Sequence, residues 1–200
     1  MLLPTLTDFV NLLLSGSIPN DVKDIMFGGL LIALHKSSGG IRPIATGYTW
    51  RRIAAKCANS FGILKMSSYL LPIQLGVVIP GGAEAAVHSL RRYINTMDDD
   101  EVIVKLDFSN TFNTLQRDTL IETIAKFIPE IYCFIHATYS GESILQFMNR
   151  IIRSLERPQQ EDPLASLEFC CSNHPLLKRL VAKLRLGFMH DIILAGKSRW

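Results

Sequence analysis

A short apolar run that ends in an aspartate constrains the fold of this chain more than any other feature of its sequence. The run consists of the aliphatic residues Val102, Ile103, Val104 and Leu106, broken only by one lysine. Such a run is typical of a strand that is covered on both faces. Asp107 follows it at once, and a carboxylate at the carboxyl end of a strand is well placed to meet a ligand. The run therefore predicts a buried strand with a candidate functional acid at its end.

A second segment, near the end of the sequence, also combines apolar residues with an acid. It extends from Gly187 to Gly196, with apolar ends and the polar pair His190-Asp191 in its middle. This pattern predicts a short hairpin whose tip presents two side chains. If Asp107 and Asp191 converge, their carboxylates suit a hard divalent cation. The plainer interpretation, which spacing alone favours, is that each acid ends a strand and caps a turn.

The first hundred residues predict a β-hairpin followed by two helices. The apolar runs Leu30–His35 and Ile41–Ala45 are separated by a segment that ends in Gly39-Gly40, and glycine supplies the positive φ that a tight connection needs. Apolar residues recur at helical spacing over Trp50–Phe61, where basic residues occupy the other faces, and again over Ala83–Ile94.

Three further elements are predicted beyond Asp107. Thr119-Leu-Ile-Glu122 has the form of a capping box and opens an apolar stripe that stops at Pro129, which predicts a helix. The β-branched and aromatic run Ile131–Tyr139 predicts a strand, and apolar residues spaced from Leu176 to Leu184 predict a last helix. Strands and helices alternate without a strict βαβ period, so we expect an α+β fold.

Composition limits the class of protein. Of the 200 residues, 48% are hydrophobic and 20% are charged, which excludes a disordered, collagen-like or coiled-coil chain and predicts one domain. The net charge of +3 permits a polyanionic partner but does not demand one. The longest uncharged run, Met66–Ala83, contains prolines and glycines, so no membrane partner is expected. No basic residue precedes the apolar segment near the N-terminus, and the four cysteines lack C-x-x-C spacing. These features indicate an intracellular protein with reduced thiols. The sequence leaves open whether the protein is nuclear or cytoplasmic, and which oligomeric state it has.

Four segments, in order along the chain, resemble motifs of reverse transcriptases from non-LTR (LINE-type) retrotransposons. Leu31–Gly47 resembles the fingers hairpin, and Lys105–Asn113 resembles the first catalytic motif. Pro158–Leu164 resembles the motif that grips template and nucleotide, and Phe188–Asp191 resembles the aromatic-x-Asp-Asp turn. The resemblance covers about residues 30–196, and four motifs in order are far more specific than any one of them.

The resemblance implies a right-hand polymerase. Residues 1–29 would be an N-terminal helical extension, 30–97 a fingers-like region and 98–200 a palm-like region, together one reverse transcriptase domain. Because the sequence ends at Trp200, soon after the turn, the thumb of the family is expected to be absent. The implied activity is RNA-directed DNA polymerisation, in which two Mg²⁺ ions, or Mn²⁺, support transfer of deoxynucleoside triphosphates (dNTPs) to the 3′-hydroxyl of a DNA primer on an RNA template.

Asp107, Phe108 and Asp191 are the metal-binding residues that the resemblance implies. Asp107 would bridge the two ions, Phe108 would lend a backbone carbonyl, and Asp191 corresponds to the second acid of the family's Asp-Asp pair. His190 stands where the family has the first, metal-bridging aspartate of that pair. An imidazole offers one lone pair and no negative charge, whereas Mg²⁺ prefers oxygen ligands, so we expect metal binding to be weakened and catalysis impaired.

The resemblance also implies four nucleotide-binding residues. Lys36 and Arg42 would reach the triphosphate, where fixed cations stabilise charge on the transferring phosphates. Phe112 would exclude a ribose 2′-hydroxyl, and Gln160 would touch the nucleotide or the template. From the residues alone, the two cations could equally be solvated charges, and Phe112 a core aromatic.

Other charged residues bear on the same site. Glu161 stands where the family usually has glycine and would put negative charge beside a phosphate-bearing ligand. Glu168 lies inside an apolar helical pattern, which predicts a buried carboxylate. The basic faces near two arginine pairs suit phosphate contacts or are plain solvated surface. These pairs are Arg51-Arg52 and Arg91-Arg92.

Two hypotheses from different classes follow. The first is a reverse transcriptase domain whose activity is impaired. The second is an inactive relict, or a module that binds RNA or DNA through its basic faces without catalysis. A salt-dependent affinity for nucleic acid would favour the binding module over an inert chain.

Overall fold

The computed structural model describes residues 2–37, 39–107, 115–159 and 161–197. These ranges contain seven α-helices, one short 3-10 helix and two β-sheets, so the predicted α+β class is confirmed. The described residues within 1–62 and 112–165 form one compact unit, and those within 63–111 and 166–200 form a second.

The elements, in chain order, are α1 (Leu2–Leu14), α2 (Asn20–Phe27), β1 (Gly29–His35), β2 (Ile41–Gly47), α3 (Thr49–Leu70), α4 (Gly82–Ile94), β3 (Glu101–Asp107), α5 (Arg117–Phe127), the 3-10 helix (Pro129–Ile131), α6 (Tyr132–Tyr139), β4 (Ser143–Phe147), β5 (Arg150–Ser154), α7 (Ala165–Arg179), β6 (Leu184–Phe188) and β7 (Asp191–Lys197).

The sheet of the first unit has the strand order β2-β1-β4-β5. β1 and β2 form the predicted antiparallel hairpin, in a register that runs from Gly29 opposite Gly47 to His35 opposite Ile41. Gly39 and Gly40 adopt φ values of +89° and +86° in its connection, which is the conformation that the sequence predicted for them. β1 also pairs in parallel with β4, and β4 pairs in antiparallel fashion with β5.

The segment after α5 corrects one prediction. Residues 131–139 do not form a strand, because Pro129–Ile131 is a 3-10 helix and Tyr132–Tyr139 is α6. Most of α6 is buried and only Cys133 and His136 are exposed, so its sequence shows no clear helical period, and its β-branched and aromatic composition is typical of a strand. The predicted capping box is also wrong, because α5 begins at Arg117 rather than at Thr119.

The sheet of the second unit has the order β3-β7-β6, with both pairings antiparallel. The predicted hairpin at Gly187–Gly196 is confirmed as β6 and β7, joined through Met189 and His190. Ile192 of β7 packs in a small apolar cluster with Ile73 and Leu177.

The last predicted helix is only partly present. Leu176 and Leu177 lie in α7, but this helix ends at Arg179, and Leu184 is the first residue of β6. The Arg185 side chain donates to the carbonyls of Lys178 and Leu180, at 3.1 and 3.2 Å. Such bonds satisfy carbonyls that a helix end leaves without partners. Tertiary contacts therefore end α7 before the apolar helical spacing ends in the sequence.

β3 is an edge strand and is not covered on both faces, contrary to the prediction. Val102, Val104 and Leu106 are 42%, 45% and 37% exposed. An apolar run shows that a segment is suited to a strand but does not say how many neighbours it has, so this difference could not be seen in the sequence.

The two remaining helical predictions are confirmed. α3 contains the stripe at Trp50–Phe61 and extends to Leu70, and α4 contains the stripe at Ala83–Ile94. In the described part of the chain, none of the helices has the length and hydropathy needed to cross a membrane.

The cluster around Ile192 gives a stability prediction. Ile192 is 1% exposed, so Ile192→Ala should lower the free energy of unfolding by about 2–5 kcal/mol, through lost burial and the cavity left behind. The matched change Ile94→Ala, at a site 48% exposed, should stay within about 0.5 kcal/mol of the wild type. Urea unfolding followed by circular dichroism measures both, and equal losses would contradict the assignment of this core.

Candidate functional site

The two candidate acids lie opposite each other in the second unit. β3 and β7 pair in a register that runs from Glu101 opposite Lys197 to Asp107 opposite Asp191. Residues directly opposite in an antiparallel pair share one face of the sheet, with Cβ atoms about 4.5–5.5 Å apart. The two residues that carry the candidate carboxylates therefore stand directly opposite each other, at one end of the ladder.

The connection between β6 and β7 carries His190. Phe188 pairs with Asp191, so Met189 and His190 form the turn, and Met189 adopts the left-handed φ of 55°. A Cβ on Gly187 would come within 2.8 Å of the Gln74 side chain, so glycine is needed for this close approach. The Gln74 amide donates to the Met189 carbonyl at 3.4 Å and supports the turn from below.

Lys105 forms an ion pair with one of the two acids. Its Nζ lies 2.8 Å from Oδ1 of Asp191. This hydrogen bond lowers the pKa of Asp191 and raises the pKa of Lys105, so both groups are charged at neutral pH. Nε2 of His190 lies 4.0 Å from Oδ2 of the same carboxylate.

The two carboxylates fit a divalent cation, although they are fewer ligands than a complete metal site has. Asp107 and Asp191 supply hard oxygen ligands, and Mg²⁺ is commonly held by one or two carboxylates together with water and substrate phosphates. Among the described residues no group of three or more His, Cys, Asp or Glu side chains could hold a metal ion. The predicted carbonyl ligand, that of Phe108, lies outside the described residues.

The predicted nucleotide-binding residues belong to the first unit or lie outside the described residues. Lys36 is exposed in the β1–β2 connection, and Arg42 is exposed on β2 opposite Leu34. Phe112 and Gln160 both fall outside the described ranges.

A buried ion pair in the first unit was missed by the sequence analysis. Arg51, for which the sequence allows either a phosphate contact or a solvated surface position, is only 2% exposed, and its guanidinium is paired with Asp162. The Tyr139 hydroxyl accepts a hydrogen bond from Arg51 at 2.8 Å and donates one to Asp162. Buried charges are retained only when they are paired and hydrogen-bonded, so Arg51 is a structural residue and the prediction of a phosphate contact is wrong for it.

Asp162 also organises the chain that precedes α7. Its Oδ1 accepts a hydrogen bond from the Leu164 amide at 3.0 Å, and its carbonyl accepts one from the Ala165 amide at 3.0 Å. An aspartate just ahead of a helix is a recognised start signal, so the sequence Asp162-Pro163 could have indicated this role. Nothing in the sequence indicated that Arg51 is its partner.

Arg117 holds the other end of the same loop. Its guanidinium donates to the carbonyls of Arg157 and Gly141, at 2.9 and 2.6 Å, and to the Ser143 hydroxyl at 3.1 Å. Burial lowers the pKa of Arg117. The guanidinium carbon also lies 5.3 Å from the centre of the Tyr139 ring. Arg157, which precedes the predicted gripping motif, and Asp162, which lies within it, are thus each held by a buried arginine.

The two glutamates of this region differ in environment. Glu161 is exposed, whereas Glu168 in α7 is fully buried, as its position in an apolar pattern predicted. Burial, together with the Glu168 carboxylate, raises the pKa of the Cys171 thiol to about 12.

Comparison with known proteins bears on the fold. The fold of this chain is similar to that of a telomerase. The match is to apo telomerase from Candida tropicalis, truncated from its C-terminal domain, with a TM-score of 0.61 at 10% sequence identity. It covers 88% of this chain and 44% of the telomerase chain, so this chain spans less than half the length of that protein. No protein-family model matches the sequence, and no curated protein matches it.

The buried ion pair gives a second stability prediction. Asp162→Asn leaves the Arg51 charge buried without its carboxylate and should lower the free energy of unfolding by about 3–5 kcal/mol. The control Glu142→Gln removes a carboxylate from an exposed ion pair with Arg153 and should cost less than about 1 kcal/mol. Chemical denaturation of both variants measures the difference, and a small cost for both would show that Asp162 does not anchor the loop.

Proposed function

We propose that this chain is the fingers-and-palm part of a reverse transcriptase of the non-LTR retrotransposon type, with a metal centre reduced to two carboxylates. The observation that carries the proposal is the register of β3 and β7, which sets Asp107 opposite Asp191. These residues belong to the two segments that resemble the catalytic motifs of that family. The similarity of the fold to a telomerase supports a relationship with such polymerases.

Asp107 and Asp191 would hold the metal, with the Phe108 carbonyl as a further ligand. When bound, Mg²⁺ or Mn²⁺ supplies activation of the primer 3′-hydroxyl and stabilisation of the departing pyrophosphate. The chain itself supplies two hard anionic oxygen donors on one face of a sheet, close enough to share an ion.

The remaining predicted residues would bind substrate. Lys36 and Arg42 would stabilise the triphosphate of a dNTP, Gln160 would contact the nucleotide or the RNA template, and Phe112 would favour deoxyribose. The buried arginines would contribute indirectly, because they hold Asp162 and Arg157, which lie on either side of Gln160 in the sequence.

His190 would account for the low number of anionic ligands in the proposed metal centre. The imidazole occupies the turn position beside Asp191, where an aspartate would add a third anionic ligand. Without it the site has less negative charge with which to bind a divalent ion. We therefore expect this chain to be a polymerase with weak activity.

Restoring the acid tests this function. His190→Asp should raise primer extension with dNTPs on an RNA template at least tenfold over the wild type, because the turn regains an anionic metal ligand. Mn²⁺ should support more extension than Mg²⁺ in the wild type, since Mn²⁺ tolerates nitrogen ligands better.

The double variant His190→Asp with Asp107→Asn is the control and should lose the gain. A folded His190→Asp protein without extension in either metal would count against the polymerase proposal.

A second candidate function is binding of single-stranded nucleic acid without catalysis. A pocket of about 360 Å³ in the first unit, where β2 leads into α3, favours it. Arg52 and Lys56, one helical turn apart on α3, line this pocket together with Tyr48 and the apolar Leu30 and Ile53. Cations beside an aromatic ring and an apolar wall suit a phosphate with its attached base.

The salt dependence of binding tests this candidate. The double variant Arg52→Ala/Lys56→Ala should lower the slope of log K against log salt by about 1.4 for single-stranded RNA, since each phosphate contact on a single strand contributes about 0.7. The control Lys126→Ala/Arg150→Ala removes two exposed cations from the same unit and should leave the slope unchanged. Fluorescence anisotropy over a salt series measures both, and an equal change in the two variants would assign the effect to net charge.

A further inference from the structure

We propose that Lys105 is a positioning residue that serves as a resident cation on Asp191 and sets how tightly the carboxylate pair binds a divalent metal. The inference rests on the proposed function, because it concerns the same two carboxylates. The regulatory role of Lys105 follows neither from the motif resemblance nor from the similarity to known proteins. Its ammonium is a built-in monovalent cation, with which a metal ion must compete for the carboxylates.

The geometry of β3 places this lysine in the site. Lys105 and Asp107 are two residues apart on one strand, so their side chains share a face, and Asp191 joins that face from β7. Nζ of Lys105 lies 2.8 Å from Oδ1 of Asp191, within the range of a charge-assisted hydrogen bond. The ammonium therefore uses an oxygen that would otherwise be free to bind a metal.

Charge acts in the same direction. Asp107 and Asp191 carry two negative charges, and Lys105 cancels one of them, which leaves a net charge of −1 to attract a divalent ion. A metal that binds Oδ1 of Asp191 must break the ion pair, and a metal bound elsewhere on the two carboxylates is repelled by the nearby ammonium. Both partners are solvated, with side-chain exposures of 63% for Lys105 and 37% for Asp191, so the ion pair lowers the affinity for a metal only modestly.

The first unit offers a matched pair for comparison. Arg153 and Glu142 form an exposed ion pair with side-chain exposures of 67% and 39%. Removing either cation frees one carboxylate and changes the net charge equally. A second acid, Asp24 of α2, lies near this pair, but among the described strands no acid faces Glu142 across a ladder as Asp107 faces Asp191.

Binding of Mn²⁺ followed by electron paramagnetic resonance tests the inference on the full chain, without any need for catalysis. Lys105→Met should tighten Mn²⁺ binding about three- to fivefold, the effect of losing one solvated charge contact. Lys105→Arg retains the cation and should stay within about twofold of the wild type, as should Arg153→Met. The gain should vanish in Lys105→Met/Asp107→Asn, which removes the opposing carboxylate.

The remaining outcomes separate this inference from the proposed function. If His190→Asp tightens Mn²⁺ binding but Lys105→Met does not in either background, Lys105 is an ordinary surface ion pair and the metal centre stands. If Arg153→Met gains as much as Lys105→Met, the effect is one of net charge and the inference is wrong. If no variant binds Mn²⁺, His190→Asp included, the metal centre and this inference both fall.

Discussion

The pairing of β3 with β7 is the constraint on which the candidate site depends. A shift of one residue along an antiparallel ladder moves every side chain of a strand to the other face of the sheet. The burial of Ile192 between Ile73 and Leu177 opposes such a shift. Because side chains alternate along a strand, burial of Ile192 on one face places Asp191 on the other, where it meets Asp107. The hydrophobic effect thus sets the position of two charged groups that take no part in the core.

In the first unit, buried polar groups have the corresponding role. Arg51, Tyr139 and Asp162 come from α3, from α6 and from the chain before α7, and they meet in one hydrogen-bonded cluster. Arg117 ties Arg157 to the turn before β4. An apolar contact can slide, whereas a guanidinium with directed donors accepts few arrangements. These contacts fix the positions of Arg157 and Asp162 within the first unit.

In the proposed metal centre, the charges around the carboxylate pair would account for weak binding of a divalent ion. Ligand charge attracts a divalent ion, and the turn supplies an imidazole at His190 where an acid would complete the set. Lys105 then neutralises part of what is left. The register of β3 and β7 does not depend on these two residues, since neither His190 nor Lys105 belongs to the apolar cluster that opposes a shift of the strands.

Local patterns of the sequence determined the elements with clear signals. The hairpin at β1 and β2, the helices α3 and α4 and the hairpin that carries Asp191 follow from glycine positions and from helical or alternating spacing. The patterns failed for α6 and for the end of α7, where the burial of most of α6 and the capping of α7 by Arg185 decided the outcome. Both depend on neighbours that are distant in the sequence.

The residues of the candidate site divide in the same way. The sequence by itself determined that Asp107 and Asp191 each end or begin a strand, because each stands at the boundary of an apolar run. Only the tertiary structure decided that they face each other, that Lys105 binds one of them, that β3 is exposed and that Arg51 is buried. Strand neighbours, register and burial arise from contacts between segments far apart along the chain, and a local pattern carries no record of those contacts.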